Sequence, residues 1–311
     1  MHILILGAAG MIGRKLAGSL AEDGHRLTLA DVVAPPTLPN STSLTLDLTA
    51  SAAPGLIASR PDAIIHLAAI VSGEAEADFD KGYATNLDGP RALLEAIRLT
   101  PGYKPKLIFA SSIAVFGAPF PAKIPDDFFQ TPRTSYGTQK AIIELLISDY
   151  SRRGFLDGIT IRLPTICVRP GLPNLAASGF FSNIIREPLA GKPAILPVPD
   201  TTRHWFASPQ SAVGFFRHAL TLDTSLLGDR RALGMPGLSA TVAEEIEALR
   251  RVAGQKAVDL ITREPNETIA KIVATWPSDF EATRATALGF KAESTFDEII
   301  AAHLAAEHPA A

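Results

Sequence analysis

Tyr136 and Lys140 lie four residues apart, a spacing that puts a phenol and an ammonium on one face of a helix. A phenol is a weak base at its ordinary pKa of about 10, but a fixed cation beside it favours the phenolate. Ser112 follows the apolar run 106–110 and adds a hydroxyl that can hold an oxygen as it changes from alcohol to carbonyl. Together the three suit proton transfer coupled to oxidation of a hydroxyl group. Alone, Tyr136 and Lys140 would be an ordinary surface pair. Their chemistry depends on a nucleotide-binding turn at the start of the chain.

That turn is Gly7-Ala8-Ala9-Gly10-Met11-Ile12-Gly13, set between the apolar run 2–6 and an amphipathic stretch beginning at Arg14. Strand, glycine turn and helix in this order bring the free N–H groups of a helix start, Met11 and Ile12 among them, to one point with the positive end of its dipole. Gly7 makes the tight turn, Gly10 admits a pyrophosphate to the backbone, and Gly13 lets helix and strand pack closely. A second apolar run, 26–30, ends in Asp31, 18 residues after Gly13. A carboxylate there accepts hydrogen bonds from an adenosine ribose and repels a 2′-phosphate, so the pattern predicts NAD over NADP. Val32 and Val33 follow, and Arg14 is the one nearby cation.

The totals narrow the class. A chain of 311 residues holds about two domains' worth of core. A net charge of −3 supplies no basic field for nucleic acid or an anionic membrane. No apolar run approaches the ~20 residues that span a bilayer, and the N-terminus lacks the basic start of a signal peptide. The single cysteine, Cys167, excludes an internal disulfide and fits a reducing cytoplasm, where it is expected to pack as a buried, inert thiol. The histidines and the cysteine show no metal-ligand spacing, so no metal is expected. His66 reads as a satisfied core histidine.

Apolar runs alternate with helical periodicity through the first half, which predicts an α/β fold with a doubly wound parallel sheet. Strands are expected at 2–6, 26–30, 43–46, 63–66, 106–110 and 158–163. Helices are expected over 81–99 and 135–153, the second with Ser135 as its N-cap. Beyond Val168 come a loop, helices at 180–191 and 212–222, a proline-rich stretch at 193–209, a strand at 231–235 and helices at 242–253, 266–274 and 296–306. The reading divides the chain into a dinucleotide-binding domain (1–167 and 204–236) and a smaller, mostly helical substrate-binding cap (168–203 and 237–311). Residues 307–311 are expected to fray.

In order along the chain, the glycine turn, Asp31, Asp47-Leu48, His66-Leu67-Ala68-Ala69, Asn86, Ser112 before Val115-Phe116-Gly117, and Tyr136-x-x-x-Lys140 resemble the extended short-chain dehydrogenase/reductase family. The resemblance covers essentially the whole chain. It implies a Rossmann fold holding NAD, with Ser112, Tyr136 and Lys140 in proton transfer. It places Asp47 and Leu48 at the adenine, Leu67, Ala68 and Ala69 beside the phosphates and ribose, Lys140 on the nicotinamide ribose, and Pro164 and Thr165 at the nicotinamide. Asn86 either contacts the ligand or ties two segments together. A homodimer through the helices at 81–99 and 135–153 is also implied.

Departures from the family pattern narrow the reaction. Dehydratases of the family follow their serine or threonine with two acids, whereas Ile113-Ala114 stand here. Sugar-nucleotide members carry Arg-Asp-Phe where this chain has Arg203-His204-Trp205. The stretches 70–76, 112–119, 173–181 and 197–205 are most similar to a branch that oxidises the C2 hydroxyl of four-carbon sugar acids such as D-erythronate. The alternatives are a nucleotide-sugar epimerase, a uronate dehydrogenase-like enzyme, and a non-catalytic NAD-binding protein. On the sugar-acid reading Arg203 grips the carboxylate, with Ser72, Ser112, Tyr136, Thr165 and Ser178 around the hydroxyls. Arg169 and Arg186 compete for that role, and Arg203 could instead stack on Trp205 or pair with Asp200.

Overall fold

A computed structural model describes residues 1–171 and 178–307, so most of the 173–181 stretch and the expected fraying beyond 307 lie outside the described residues. The chain forms two compact units. The first comprises 1–115, 134–162 and 213–233, and the second 116–133, 163–212 and 234–311.

The strands in chain order are β1 (His2–Leu6), β2 (Arg26–Asp31), β3 (Ser41–Thr45), β4 (Ala63–His66), β5 (Lys106–Ser112), β6 (Asp157–Leu163), β7 (Thr165–Ile166), β8 (Ala194–Leu196), β9 (Arg203–Ala207), β10 (Ala232–Gly234), β11 (Leu238–Thr241) and β12 (Ile261–Arg263). Among the described residues, seven strands make the sheet of the first unit, in the order β10-β6-β5-β4-β1-β2-β3. The pairs β1–β2, β2–β3, β1–β4 and β4–β5 are parallel. Both β1 and β4 are buried along their full length, as strands covered on both faces must be. Leu4, Ile64 and Phe109 pack with Leu93, Leu94, Ile97, Ile143 and Ile147 of the flanking helices. The chain runs from β1 outward to β3 and then returns to β4 on the other side of β1. That reversal opens a crevice at the carboxyl ends of β1 and β4.

Three local details differ from the sequence reading. β3 begins at Ser41 because its register is set by pairing with β2, not by its own half-exposed pattern. The expected helix 81–99 is Phe79–Tyr83, a wider π-turn at Ala84–Asp88, and Gly89–Leu99. Pro90 has no N–H to give the Asn86 carbonyl, which accounts for the interruption just before it. The helix Ser135–Arg152 is capped by Thr134, whose hydroxyl accepts from Gly137 N, and not by Ser135.

In the second unit β7, β9 and β11 form one small sheet and β8 and β12 another. Its core joins Phe181, Ile184, Phe206, Leu249 and Ile300. The unit is therefore mixed α/β, and the proline-rich stretch supplies two of its strands. Its boundaries also depart from the expected ones. Thr165, Ile166 and 204–207 lie in the β7–β9–β11 sheet, and 116–133 joins the unit through a bridge between Ile124 and Phe280.

The glycine turn shows why its residues have no side chains. Gly7 has φ +84°, and a Cβ on it would lie 2.5 Å from the Ala68 nitrogen. A Cβ on Gly13 would lie 2.1 Å from the Gly7 carbonyl oxygen, whereas one on Gly10 meets only that oxygen at 3.3 Å. Gly13→Ala should therefore cost about 1–3 kcal/mol by overpacking and weaken NAD binding, and Gly10→Ala should cost less stability. Urea denaturation and NAD titration of the two variants check the order.

Candidate active site

A cavity of about 350 Å³ opens at the carboxyl ends of β1, β2 and β4, within the first unit. Of the residues expected there, Gly7, Gly10, Asp31, Asp47, Leu48, Leu67, Ala68 and Ala69 line it. Val32, Val33, Ile70 and Thr85 also line it and were not foreseen, since they arrive on loops and the π-turn. Met11 and Ile12 open the helix Met11–Glu22, which has neither a side-chain cap nor an acid in its first turn. Its leading N–H groups are thus open to an anion. Asp31 braces the turn, accepting Ala9 N at 2.8 Å and Val33 N at 3.2 Å. A carboxylate has about four lone-pair sites, so capacity remains for ribose hydroxyls. Arg14 bonds the Ala9 carbonyl at 2.7 Å. An uncapped helix start, a carboxylate and apolar walls fit NAD.

Ser112 ends β5, and Tyr136 and Lys140 lie on the helix Ser135–Arg152. That helix packs directly on the turn after Ser112, since a Cβ on Gly137 would lie 2.1 Å from the Ala114 carbonyl oxygen. The approach brings the Ser112 hydroxyl near enough to the Tyr136 phenol to favour its phenolate, and Ser112 Oγ accepts Ala114 N at 3.1 Å. Lys140 is buried and donates to the Ala110 carbonyl at 2.8 Å, above the Phe109 ring.

The electrostatics correct one expectation. Burial pushes the Tyr136 phenol up to about 12, and the Ser112 hydroxyl only partly opposes this. Burial pulls Lys140 down to about 7, against the pull of Glu144. The ammonium sits 5.6 Å from the centre of the Tyr136 ring and is held by Ala110, so desolvation outweighs any help it gives the phenolate.

Asn86 ties two segments together. Its side chain bonds Ile70 N (3.0 Å), Ile70 O (3.2 Å) and Gln139 Oε1 (2.8 Å), which commits both amide protons and ties the loop after β4 to the helix Ser135–Arg152. His66 lines the cavity but is not satisfied, for neither ring nitrogen has a hydrogen-bond partner among the described residues. Ser72 opens the short helix Ser72–Ala77 in the first unit.

Pro164, Thr165, Ser178 and Arg203 belong to the second unit. Thr165 Oγ1 meets His204 Nε2 at 2.6 Å, and the His204 ring stacks on Phe181. Ser178 accepts from Arg169 Nη2 at 3.1 Å. Arg203 is 43% exposed, bonds the Ser239 carbonyl at 3.1 Å and pairs with Glu244 at 3.4 Å. Asp200 pairs with Arg263 instead. Cys167 is buried beside the Phe181 carbonyl.

Residues 3–206 match the NAD dependent epimerase/dehydratase family. A D-erythronate dehydrogenase from Cupriavidus necator is 49% identical over 98% of each chain. Another of that name from Haemophilus influenzae is 44% identical over 96% of this chain and 98% of its own. A solved structure described as the nucleoside-diphosphate-sugar epimerase from Agrobacterium tumefaciens superposes with a TM-score of 0.96 at 60% identity, covering 99% of this chain and 94% of that one. The chain belongs to the NAD dependent epimerase/dehydratase family and is an NAD-dependent dehydrogenase within it. Among the described residues no helix is long and apolar enough to cross a membrane.

Burial lowers both His66 and His204 to about 3 from 6.5, chiefly through desolvation. The unfolded chain then binds protons that the folded one refuses, so stability is lost as pH falls from 6.5 towards 3. Between pH 7 and pH 5 each histidine should cost about 2 kcal/mol. His66→Leu should remove roughly half of that decline in urea titrations at the two pH values.

Proposed function

We propose that this enzyme oxidises the C2 hydroxyl of D-erythronate to the 2-oxo acid. The observation that carries the reading is Ser112 set beside the Tyr136 phenol, with buried, uncharged Ile113 next to it. This arrangement can move one proton and offers no acid–base couple for elimination. The two relatives named D-erythronate dehydrogenase support the substrate.

NAD supplies the hydride acceptor when bound. Tyr136, as the base, takes the C2 hydroxyl proton while the hydride leaves the same carbon. Ser112 donates to the oxygen as it becomes a carbonyl. Lys140, one turn along the helix, has ammonium protons beyond the one given to Ala110 and can hold ribose hydroxyls. Thr165 binds a substrate hydroxyl, Ser178 another polar group of the substrate, and Ser72 lies at the start of the helix that follows the Ala68–Ala69 loop. The lone buried cysteine supports a cytoplasmic location, and exposed Leu99 and Leu145, on the helices Gly89–Leu99 and Ser135–Arg152, support a homodimer.

A second reading, an epimerase acting on a nucleotide-linked sugar, is favoured by the description of the Agrobacterium structure. Absorbance at 340 nm separates the two. D-erythronate and NAD should give stoichiometric NADH, whereas an epimerase gives no net NADH from any substrate. NADP should support a kcat/KM at least about tenfold lower, because Asp31 would face a 2′-phosphate. Tyr136→Phe should lower kcat by roughly 10²–10⁴ while NAD affinity stays within a few-fold. Retention of a tenth of wild-type kcat would assign the base elsewhere.

A further inference from the structure

A sugar acid brings a full negative charge, and the second unit offers three arginines for it in the segments where the sequence looks for a carboxylate clamp. Two are already engaged. Arg186 bonds Glu187 Oε1 through both Nε and Nη2, and also bonds Asn183 and the Arg169 carbonyl. Arg203 is paired with Glu244 and tied to Ser239.

Arg169 differs from both. Among the described residues no carboxylate lies within ion-pair reach of it, and the 172–177 segment contains no acidic residue that could supply one. Its guanidinium is partly buried and donates from Nη2 to Ser178 Oγ at 3.1 Å. Its backbone is pinned on both sides, with N bonded to Ser182 Oγ at 3.0 Å and O held by Arg186 Nη1 at 2.7 Å. Burial and the neighbouring Arg186 charge both work against its protonated form. A fixed, partly desolvated guanidinium without a counter-ion suits an anion, and its planar fork matches a carboxylate. Ser178 accepts from Arg169 and so keeps its own O–H to donate.

We propose that Arg169, with Ser178 beside it, binds the carboxylate of the sugar-acid substrate in place of Arg203. The assignment rests on the sugar-acid reading above. Arg186, neutralised by Glu187, holds the Arg169 backbone and does not itself bind substrate.

The test compares D-erythronate with its neutral isostere D-erythronamide in wild type, Arg169→Ala, Arg169→Lys and Arg203→Ala. Arg169→Ala should lower kcat/KM for the acid by roughly 10²–10³-fold, mostly through KM, and change that for the amide by less than about threefold. Arg169→Lys should recover part of the loss, because charge returns without the fork. Millimolar guanidinium should restore activity to Arg169→Ala, and Arg203→Ala should leave the acid-to-amide ratio near wild type. NAD affinity and melting temperature report whether each variant is folded. Equal losses on acid and amide, or loss of the ratio in Arg203→Ala instead, overturn the assignment. Malonate supplies an arm independent of the substrate: it should raise the melting temperature of wild type and not of Arg169→Ala or Arg169→Lys to the same degree. If wild type fails to oxidise D-erythronate while the malonate arm holds, the substrate reading falls and the anion site stands. If malonate protects all variants equally, the site falls.

Discussion

At the end of β1 three stretches of backbone pack with no side chain between them. Gly7 lies against the Ala68 nitrogen, and Gly13 lies against the Gly7 carbonyl. This contact sets the start of the first helix at the cavity's edge, where Gly10 lines it, and holds the β4 loop, with Leu67 to Ala69, along its wall. Asp31 then ties the arrangement together by accepting Ala9 N while lining the cavity. The placing of Tyr136 beside Ser112 depends on the same kind of contact at another place. Gly137 brings its helix onto the Ala114 carbonyl, and a side chain there would part Tyr136 from Ser112.

Charge inside the first unit is arranged around Glu144. It is 1% exposed and binds Arg162 through three hydrogen bonds of 2.8–3.1 Å. Removing either partner would take a compensating charge from a buried ion, at a cost of about 3–5 kcal/mol. Glu144 also lies one turn beyond Lys140 and is the group that opposes its desolvation. Because Arg162 already occupies Glu144, that support is partial, and Lys140 settles at about 7. The shifts of Tyr136 and Lys140 both come from lost solvation. Groups that solvate their charged forms are what the pair needs, namely hydroxyls for the ammonium and a positive ring for the phenolate. NAD carries both.

The sequence was most legible where structure is local. The glycine turn, Asp31, the strands of the first sheet and the spacing of Tyr136 and Lys140 each depend on residues within one or two turns or strands. The second unit was less legible because its strands are as short as two residues and are held by partners far along the chain, as β9 is by β11. A proline-rich stretch conceals two of them. The interactions of Arg203 escaped for the same reason, since Glu244 is 41 residues away in sequence and takes part in the cap of another helix. His66 reads as satisfied because a histidine closing a buried strand usually finds a partner. In the folded chain neither nitrogen does among the described residues.

What the chain lacks decides its chemistry as much as what it holds. Ile113 and Val115 are buried apolar residues in the turn after Ser112, so no second acid or base stands beside the serine. Loss of water from a substrate would require one. The second unit shows a related omission at His204, where the family pattern puts an aspartate. Burial keeps this imidazole neutral, with its pKa lowered to about 3, while Nε2 meets the Thr165 hydroxyl. A neutral ring can orient that hydroxyl as an aspartate would, without adding a negative charge near the bound molecule. For a substrate that is itself an anion, an aspartate would repel at close range in a partly dry site, where unit charges interact by several kcal/mol. A neutral histidine at this position therefore orients the Thr165 hydroxyl without placing a negative charge beside it.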